Sequence, residues 1–307
     1  MDESLNIAVR FALYTDLMVL FGLATFGLYS LRREERHSGV VLNFKALLYG
    51  ASFGGVALSC MAMLLLAKGM SGVSTVMELH HHIFQMVLMG TDAGLTWMLR
   101  VVVLVIAVVG VALSTGYPTL GLWAVTVCGA VALATLAWTG HGAMSEGSLR
   151  YWHFISDILH LLAVGGWFGA LVAFALLLRS KALKGAQDVL ILARVLTGFK
   201  TAGAVMVLVI SMSGVVNYLM IAGPNLAQVM FSTYGELLLL KLLLFAGMVA
   251  LAMLNRFHLS PLLERSVREG EFSIAVNALR RSMKLELLFA IIITGLVAWL
   301  GTLSPSV

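Results

Sequence analysis

The segment from Tyr151 to His160 carries the densest group of side chains that could do chemistry. His153, Asp157 and His160 stand at positions i, i+4 and i+7, so in a helix they share one face. Two imidazoles and a carboxylate gathered there could bind a transition metal, or the carboxylate could orient an imidazole that binds it. A polar contact between helices would use the same residues. We therefore predict a metal site here, with a structural contact as the alternative.

Two loops add possible ligands. The loop before this segment contains His141 and Met144, and a thioether such as that of Met144 suits Cu(I). An earlier loop holds three consecutive histidines, His80, His81 and His82. If that loop is helical the three fan around its axis, whereas in an extended chain His80 and His82 share a face. Such a tract favours metal binding on composition alone, and solvated histidines at an interface fit equally well. We predict that these five residues are entry or auxiliary ligands.

The elements that must position these side chains are membrane helices. Apolar residues make up 60% of the chain and charged residues only 11%, against roughly 25% charged in a soluble domain. A helix needs about 20 apolar residues to cross a bilayer, and several runs reach that length. The sequence predicts an all-α, polytopic membrane helix bundle with about eight transmembrane helices. The candidate spans lie near residues 10–31, 44–67, 93–114, 118–139, 154–178, 196–222, 236–257 and 283–303.

The chain divides into an N-terminal four-helix membrane region, residues 1–140, with the His-rich loop, and a C-terminal four-helix region, residues 141–307. We predict that the two form one integral membrane unit. Most of the 20 lysines and arginines fall in the connections on one side, which the positive-inside rule makes cytoplasmic. Both termini and most histidines are then predicted to be periplasmic. We call the histidine-bearing side the outer face and the opposite side the inner face. The net charge of +5 needs no nucleic acid to explain it.

Ionisable and amide residues recur at one depth beneath the outer face. Each lies about five to seven residues inside the outer end of its own span, roughly 8 to 10 Å deep. Opposite charges in this layer could pair, and snorkelling of the cations to the headgroups is the alternative. The inner half is expected to be mainly apolar, without a continuous charged path. The members of this polar layer are Asp16, Arg100, Asp157, His160, Asn217 and Lys241.

Three stretches resemble the copper resistance protein D (CopD) family of bacterial inner-membrane proteins. The first, from His153 to Leu171, is similar to the family's pattern of Asp, His and then Trp-x-Gly on one helix. The second is Ser213 to Asn217, followed by Thr233 to Lys241, and the third is Leu254 to Pro261 with its Asn-Arg and Pro. The resemblance covers residues 140–262 well and the first 140 residues mainly in hydropathy. It implies copper handling in the inner membrane, often beside a periplasmic copper-binding protein of the CopC type.

The leading hypothesis is a copper-binding protein of the inner membrane that accepts copper, as Cu(I) or Cu(II), from the periplasm and transports it across. One alternative is a b-type haem protein that passes electrons between quinol and a partner. Another is a copper sensor or scaffold that transports nothing. The sequence contains no phosphate-cradling loop and no convincing Ser-His-Asp signature, so an enzyme is not expected.

Overall fold

The computed structural model describes residues 2–38, 44–73, 80–139, 147–179, 185–222 and 232–303. These residues include eight helices that are long and apolar enough to cross a membrane. The predicted all-α multi-pass bundle is thereby confirmed, while the periplasmic placement of the termini stays a prediction.

Helix ends differ from the predicted spans mainly where helices project beyond the bilayer. The fifth span begins at Gly147, and the short amphipathic helix of the last inner connection covers Ser260–Glu269. Residues 273–279, which follow it, already belong to the final spanning helix. In chain order the helices are α1 (Asp2–Ser30), α2 (Arg33–Ser38), α3 (Phe44–Ser71), α4 (His81–Gly90), α5 (Asp92–Leu113), α6 (Pro118–Ala134), α7 (Gly147–Leu177), α8 (Ala186–Ala222), α9 (Thr233–Leu254), α10 (Ser260–Glu269) and α11 (Ser273–Leu300).

Helix α1 is the centre of a close-packed group that we call the frame, made of α1, α3, α5, α6 and α7. Leu17, Leu20 and Phe26 on α1 are fully buried among these neighbours. Glycines let the backbones of α1 and α7 touch, because a Cβ added at Gly22 would lie 2.6 Å from the Cα of Gly169. Small residues at such crossings are the usual means of packing helices in lipid.

Helices α8 and α9 stand apart. Helix α8 packs against α7, and α9 packs against α11, while α8 and α9 scarcely touch each other. Only 11% of the most apolar stretch of each is buried in the chain. The gap between them, walled by α7 and α11, is called the cleft from here on. It contains two cavities, one towards each face.

Candidate functional site

The outer cavity of the cleft has a volume of about 510 Å3. Its polar lining includes His160 of α7, Tyr218 of α8 and Lys241 of α9, among mostly apolar side chains. Trp167 forms its deep end, where the indole packs edge-on against the ring of Phe245 with centroids 6.2 Å apart. The outer cavity is therefore an apolar pocket with a few converging polar groups, the usual form of a binding site.

Helices α7 and α8 bring their polar residues together across the crossing. Asn217 Nδ2 donates to Asp157 Oδ1 at 3.3 Å, and His160 Nδ1 lies 2.9 Å from Ser213 Oγ. The two helices run in opposite directions. Asp157, the more outward of the two α7 residues, therefore faces Asn217, the more outward of the two α8 residues. Two of the three predicted ligands on α7 are thus held by side chains of α8.

The hydrogen bonds of Ser213 determine which nitrogen of His160 carries the proton. Ser213 Oγ lies 2.5 Å from the carbonyl oxygen of Val209 and 3.3 Å from that of Ile210, and both can only accept. Since the hydroxyl has one hydrogen and donates it there, it accepts a hydrogen bond from His160 Nδ1–H. A neutral imidazole then has its lone pair on Nε2, which is the form a metal ligand needs.

A cation and several unsatisfied acceptors surround this pair. The Lys241 ammonium interacts electrostatically with Asp157 across the cleft. Within the described residues, Asn217 Oδ1 and the hydroxyl of Tyr218 are buried without a hydrogen-bond partner. An arriving cation could therefore find an imidazole nitrogen, a carboxylate and free oxygen atoms near one another, provided that it competes with Lys241 for Asp157.

The rest of the predicted polar layer belongs to the frame. Arg100 is only 3% exposed and donates from Nε to Thr135 Oγ1 at 2.7 Å, so its predicted alternative of snorkelling to the headgroups was wrong. Asp16 lies beside two glycines of α3, since a Cβ added at Gly55 would be 2.9 Å from Asp16 Oδ2. The layer thus separates into a cleft group, with Asp157, His160, Asn217 and Lys241, and a structural group.

The remaining predicted ligands are spread more widely. His153 is 1% exposed in the outer turns of α7, whereas His80, His81 and His82 are exposed where α4 begins. His141 and Met144 lie outside the described residues.

The described parts of the chain contain no group of three His, Cys, Asp or Glu side chains arranged to hold one metal ion. A metal bound by His160 and Asp157 would need further ligands of another type or from outside those parts. The combined site of His153, Asp157 and His160 stays a prediction.

The inner cavity of the cleft, about 290 Å3, is lined by polar side chains that sequence reasoning assigned to no site. It begins on the other side of Trp167 and is lined by Asn255 and Glu286, with Lys200 and Arg256 at its polar margin. Glu286 is 2% exposed, so the expectation of a mainly apolar inner half was wrong at this point. The sequence feature that could have revealed Glu286 is its position as a carboxylate within the apolar run of the last span.

Eight helices that are long and apolar enough to cross a membrane, with a mostly apolar cleft between two of them, define the described part of the chain as a multi-pass membrane protein. Comparison with known proteins narrows the class. The model of the copper resistance protein D-like N-terminal domain matches residues 1–152, and that of copper resistance protein D matches residues 193–300. The chain belongs to the copper resistance protein D family.

Two similar proteins extend this result to nearly the whole chain. "Copper resistance protein D" of Pseudomonas syringae pv. tomato is 55% identical over 305 residues, which is 99% of this chain and 98% of that protein. "Inner membrane protein YebZ" of Escherichia coli (strain K12) is 30% identical over 305 residues, which is 97% of this chain and 98% of that protein. With its eight apolar helices, the chain is a multi-pass protein of the bacterial inner membrane.

Proposed function

We propose that the protein takes up copper at its outer face and carries it through the cleft across the inner membrane. The observation that supports this most is the state of His160, whose Nδ1 is bonded to Ser213 and whose side chain lines the outer cavity. An imidazole held in this way offers Nε2 to a metal. Asp157 beside it supplies the negative charge that a cation requires in a membrane.

The exposed histidines at the start of α4 are proposed to receive copper first. They stand at the outer face, where a separate copper-binding protein of the periplasm could deliver the ion. His141 and Met144 are proposed to pass it inward to His160 and Asp157. In this role the protein performs no covalent chemistry, and copper is its cargo.

Copper uptake into proteoliposomes tests the proposal. Wild-type protein should carry copper into vesicles, and His160→Ala should lower copper affinity about tenfold or more and abolish most uptake. His258→Ala is the matched control, because His258 is an exposed histidine at the inner face. It should behave as wild type.

The same preparations separate the alternatives. Copper binding without any uptake would leave a sensor or scaffold and would refute transport. A Soret band in protein produced with ample haem would favour the b-type haem protein. Unchanged affinity and uptake in His160→Ala would remove His160 from the copper path.

A further inference from the structure

Glu286 is a buried carboxylate that the proposed outer site does not use. It lies midway along α11 and is 2% exposed. One of its oxygens accepts a hydrogen bond from Asn255 Nδ2, and the side chain lines the inner cavity. An ionised carboxylate in this position loses most of its hydration, which is costly unless a cation or a proton compensates for it.

The two cations nearest the inner cavity are engaged elsewhere. Arg256 Nη1 donates to the backbone carbonyl of Lys200 at 2.9 Å. Lys200 Nζ in turn lies 4.0 Å from Glu264 Oε1, on the inner surface helix α10. Each of these cations thus has a contact with a group other than Glu286.

The atoms around Glu286 are rich in lone pairs. Because Asn255 Nδ2 is directed at the carboxylate, its Oδ1 points the other way, and that oxygen is buried without a partner among the described residues. Ser282 Oγ, one turn before Glu286 on the same helix, is likewise buried and unpartnered within the described chain. Met283 Sδ is 3.9 Å from Asn255 Nδ2. Oxygen and sulfur acceptors thus outnumber the donors here.

A local change in helix geometry presents Asn255 to this group. Helix α9 passes into a π-helical turn over Asn255–Leu259, in which the N–H of Ser260 bonds to the carbonyl of Asn255. The wider turn shifts the register of the side chains, and Asn255 is only 5% exposed. Such π-helical turns are rare and are frequently found at functional sites.

The inner group also lies in line with the outer cavity. Trp167 lines both cavities, so its side chain lies between them. Lys241 and Asn255 are fourteen residues apart on a nearly continuous helix, a separation of about 21 Å along the bilayer normal. A second binding site at this depth would lie in the same cleft, closer to the inner face than the outer cavity.

We propose that Glu286, Met283 Sδ and, once the amide rotates to exchange Nδ2 for Oδ1, Asn255 Oδ1 form a second cation site in the inner cavity, which takes a transition-metal ion such as Cu(I). Carboxylate, amide and thioether donors suit this class together, with the thioether favouring the softer ion. A role of this inner site in transport rests on the proposed function, whereas binding of the ion to it does not.

Metal stoichiometry measures the site directly. Purified wild-type protein titrated anaerobically with Cu(I) should bind one more tight ion per chain than Glu286→Gln, which keeps the size of the side chain and removes its charge. Met283→Leu should weaken the same ion about tenfold. The matched controls are Glu236→Gln and Met89→Leu, since both residues are exposed and distant from the cavity, and they should bind as wild type does.

Thermal unfolding of each variant without metal shows whether it is folded. Unchanged stoichiometry and affinity in folded Glu286→Gln would overturn the inner site and would mean that a proton neutralises the carboxylate. A result in which His160→Ala loses the outer ion and keeps the inner one would support two separate sites. If wild-type protein transports nothing but still binds the inner ion, and Glu286→Gln loses that ion, the inner site is supported, so the failure of transport and the failure of the inner site are distinguishable.

Discussion

The crossing of α1 with α7 and the gap between α8 and α9 are packed in opposite ways. At the first, Gly22 and Gly169 allow the two backbones to touch. At the second, the helices scarcely meet and enclose cavities of about 510 and 290 Å3. Lipid offers no hydrophobic drive to close such a gap, since a helix gains little by exchanging lipid for another apolar helix. The close crossing therefore fixes the position of α7, while the loose one leaves room for a ligand.

Buried polar residues occur in both regions. Helix α7 belongs to both regions, because one side packs on α1 and the other carries Asp157 and His160 to α8. Within the frame, a buried polar side chain such as Arg100 is bonded to a neighbouring helix. Beside the cleft, Asn217, Tyr218 and Asn255 keep acceptors that are buried and unpartnered among the described residues. Unpartnered buried polar atoms also occur in the frame, at Asp16 Oδ2 and Thr126 Oγ1 among the described residues, and the cleft differs in having cavities beside its unpartnered atoms.

The largest effect is expected from crowding the close crossing. In Gly169→Ala the new Cβ would lie 2.3 Å from the Cα of Gly22, so the helices must separate. Overpacking of this kind costs about 3 kcal/mol, because a backbone contact has no flexible side chain to yield. Thermal unfolding in detergent should show a markedly lower midpoint. Gly50→Ala is the control, since a Cβ there meets nothing within 4 Å and should be neutral or slightly stabilising. Equal midpoints would mean that the crossing is not held by close contact.

Sequence reasoning located one half of the cleft and not the other. The spacing of Asp157 and His160 placed them on one helix face, and depth beneath the outer face grouped them with Asn217 and Lys241. Glu286 was not predicted as a site residue because depth was measured from the outer ends of the spans. Lys284, two residues before it, also placed this segment at the inner boundary. Local spacing reports which residues share a helix face, but it does not report what lies across from them.

The cleft itself could not have been predicted. Helices α8 and α9 are apolar apart from a few polar residues, as transmembrane helices generally are, so their periodicity does not show which side faces lipid. Whether two such helices meet depends on contacts distant in sequence, such as that of Gly22 with Gly169. The eight spans were predictable for the opposite reason, because length and composition of each apolar run are sufficient to identify them.

A smaller effect is expected from releasing the imidazole at the cleft. Ser213→Ala removes the acceptor of His160 Nδ1–H, so both tautomers and several ring orientations become available. Loss of such a supporting contact typically lowers metal affinity 10- to 100-fold. Copper titration of the purified variant measures this change. Thr201→Ala is the matched control on the same helix, since the hydroxyl-bearing Thr201 is exposed and lines neither cavity, and its affinity should equal that of wild type. If both variants bind alike, Ser213 does not orient the ligand.

The smallest effect concerns the attachment of α8 to α2, a short helix that packs against α6 of the frame at the inner face. Arg194 of α8 donates to Glu35 of α2, which also accepts from the backbone N–H of Arg32 at 2.9 Å. Burial raises the pKa of Glu35, but the hydrogen bonds from Arg194 and Arg32 outweigh it, so the pKa lies below its ordinary value of 4.5. Because the folded protein favours the ionised form, this stabilisation is complete above about pH 4.5 and disappears as pH falls through the lower, folded-state pKa.

Glu35→Gln should therefore lower stability by less than about 1 kcal/mol at pH 7, as expected of an ion pair that is partly exposed to solvent. The difference from wild type should vanish in acid, and thermal unfolding across that pH range measures it. Glu34→Gln is the control, because Glu34 is an exposed carboxylate on the same short helix. A difference between wild type and Glu35→Gln that persisted below the folded-state pKa would show that the amide disturbs packing rather than charge. The cleft wall would then be held to the frame by shape alone at this face.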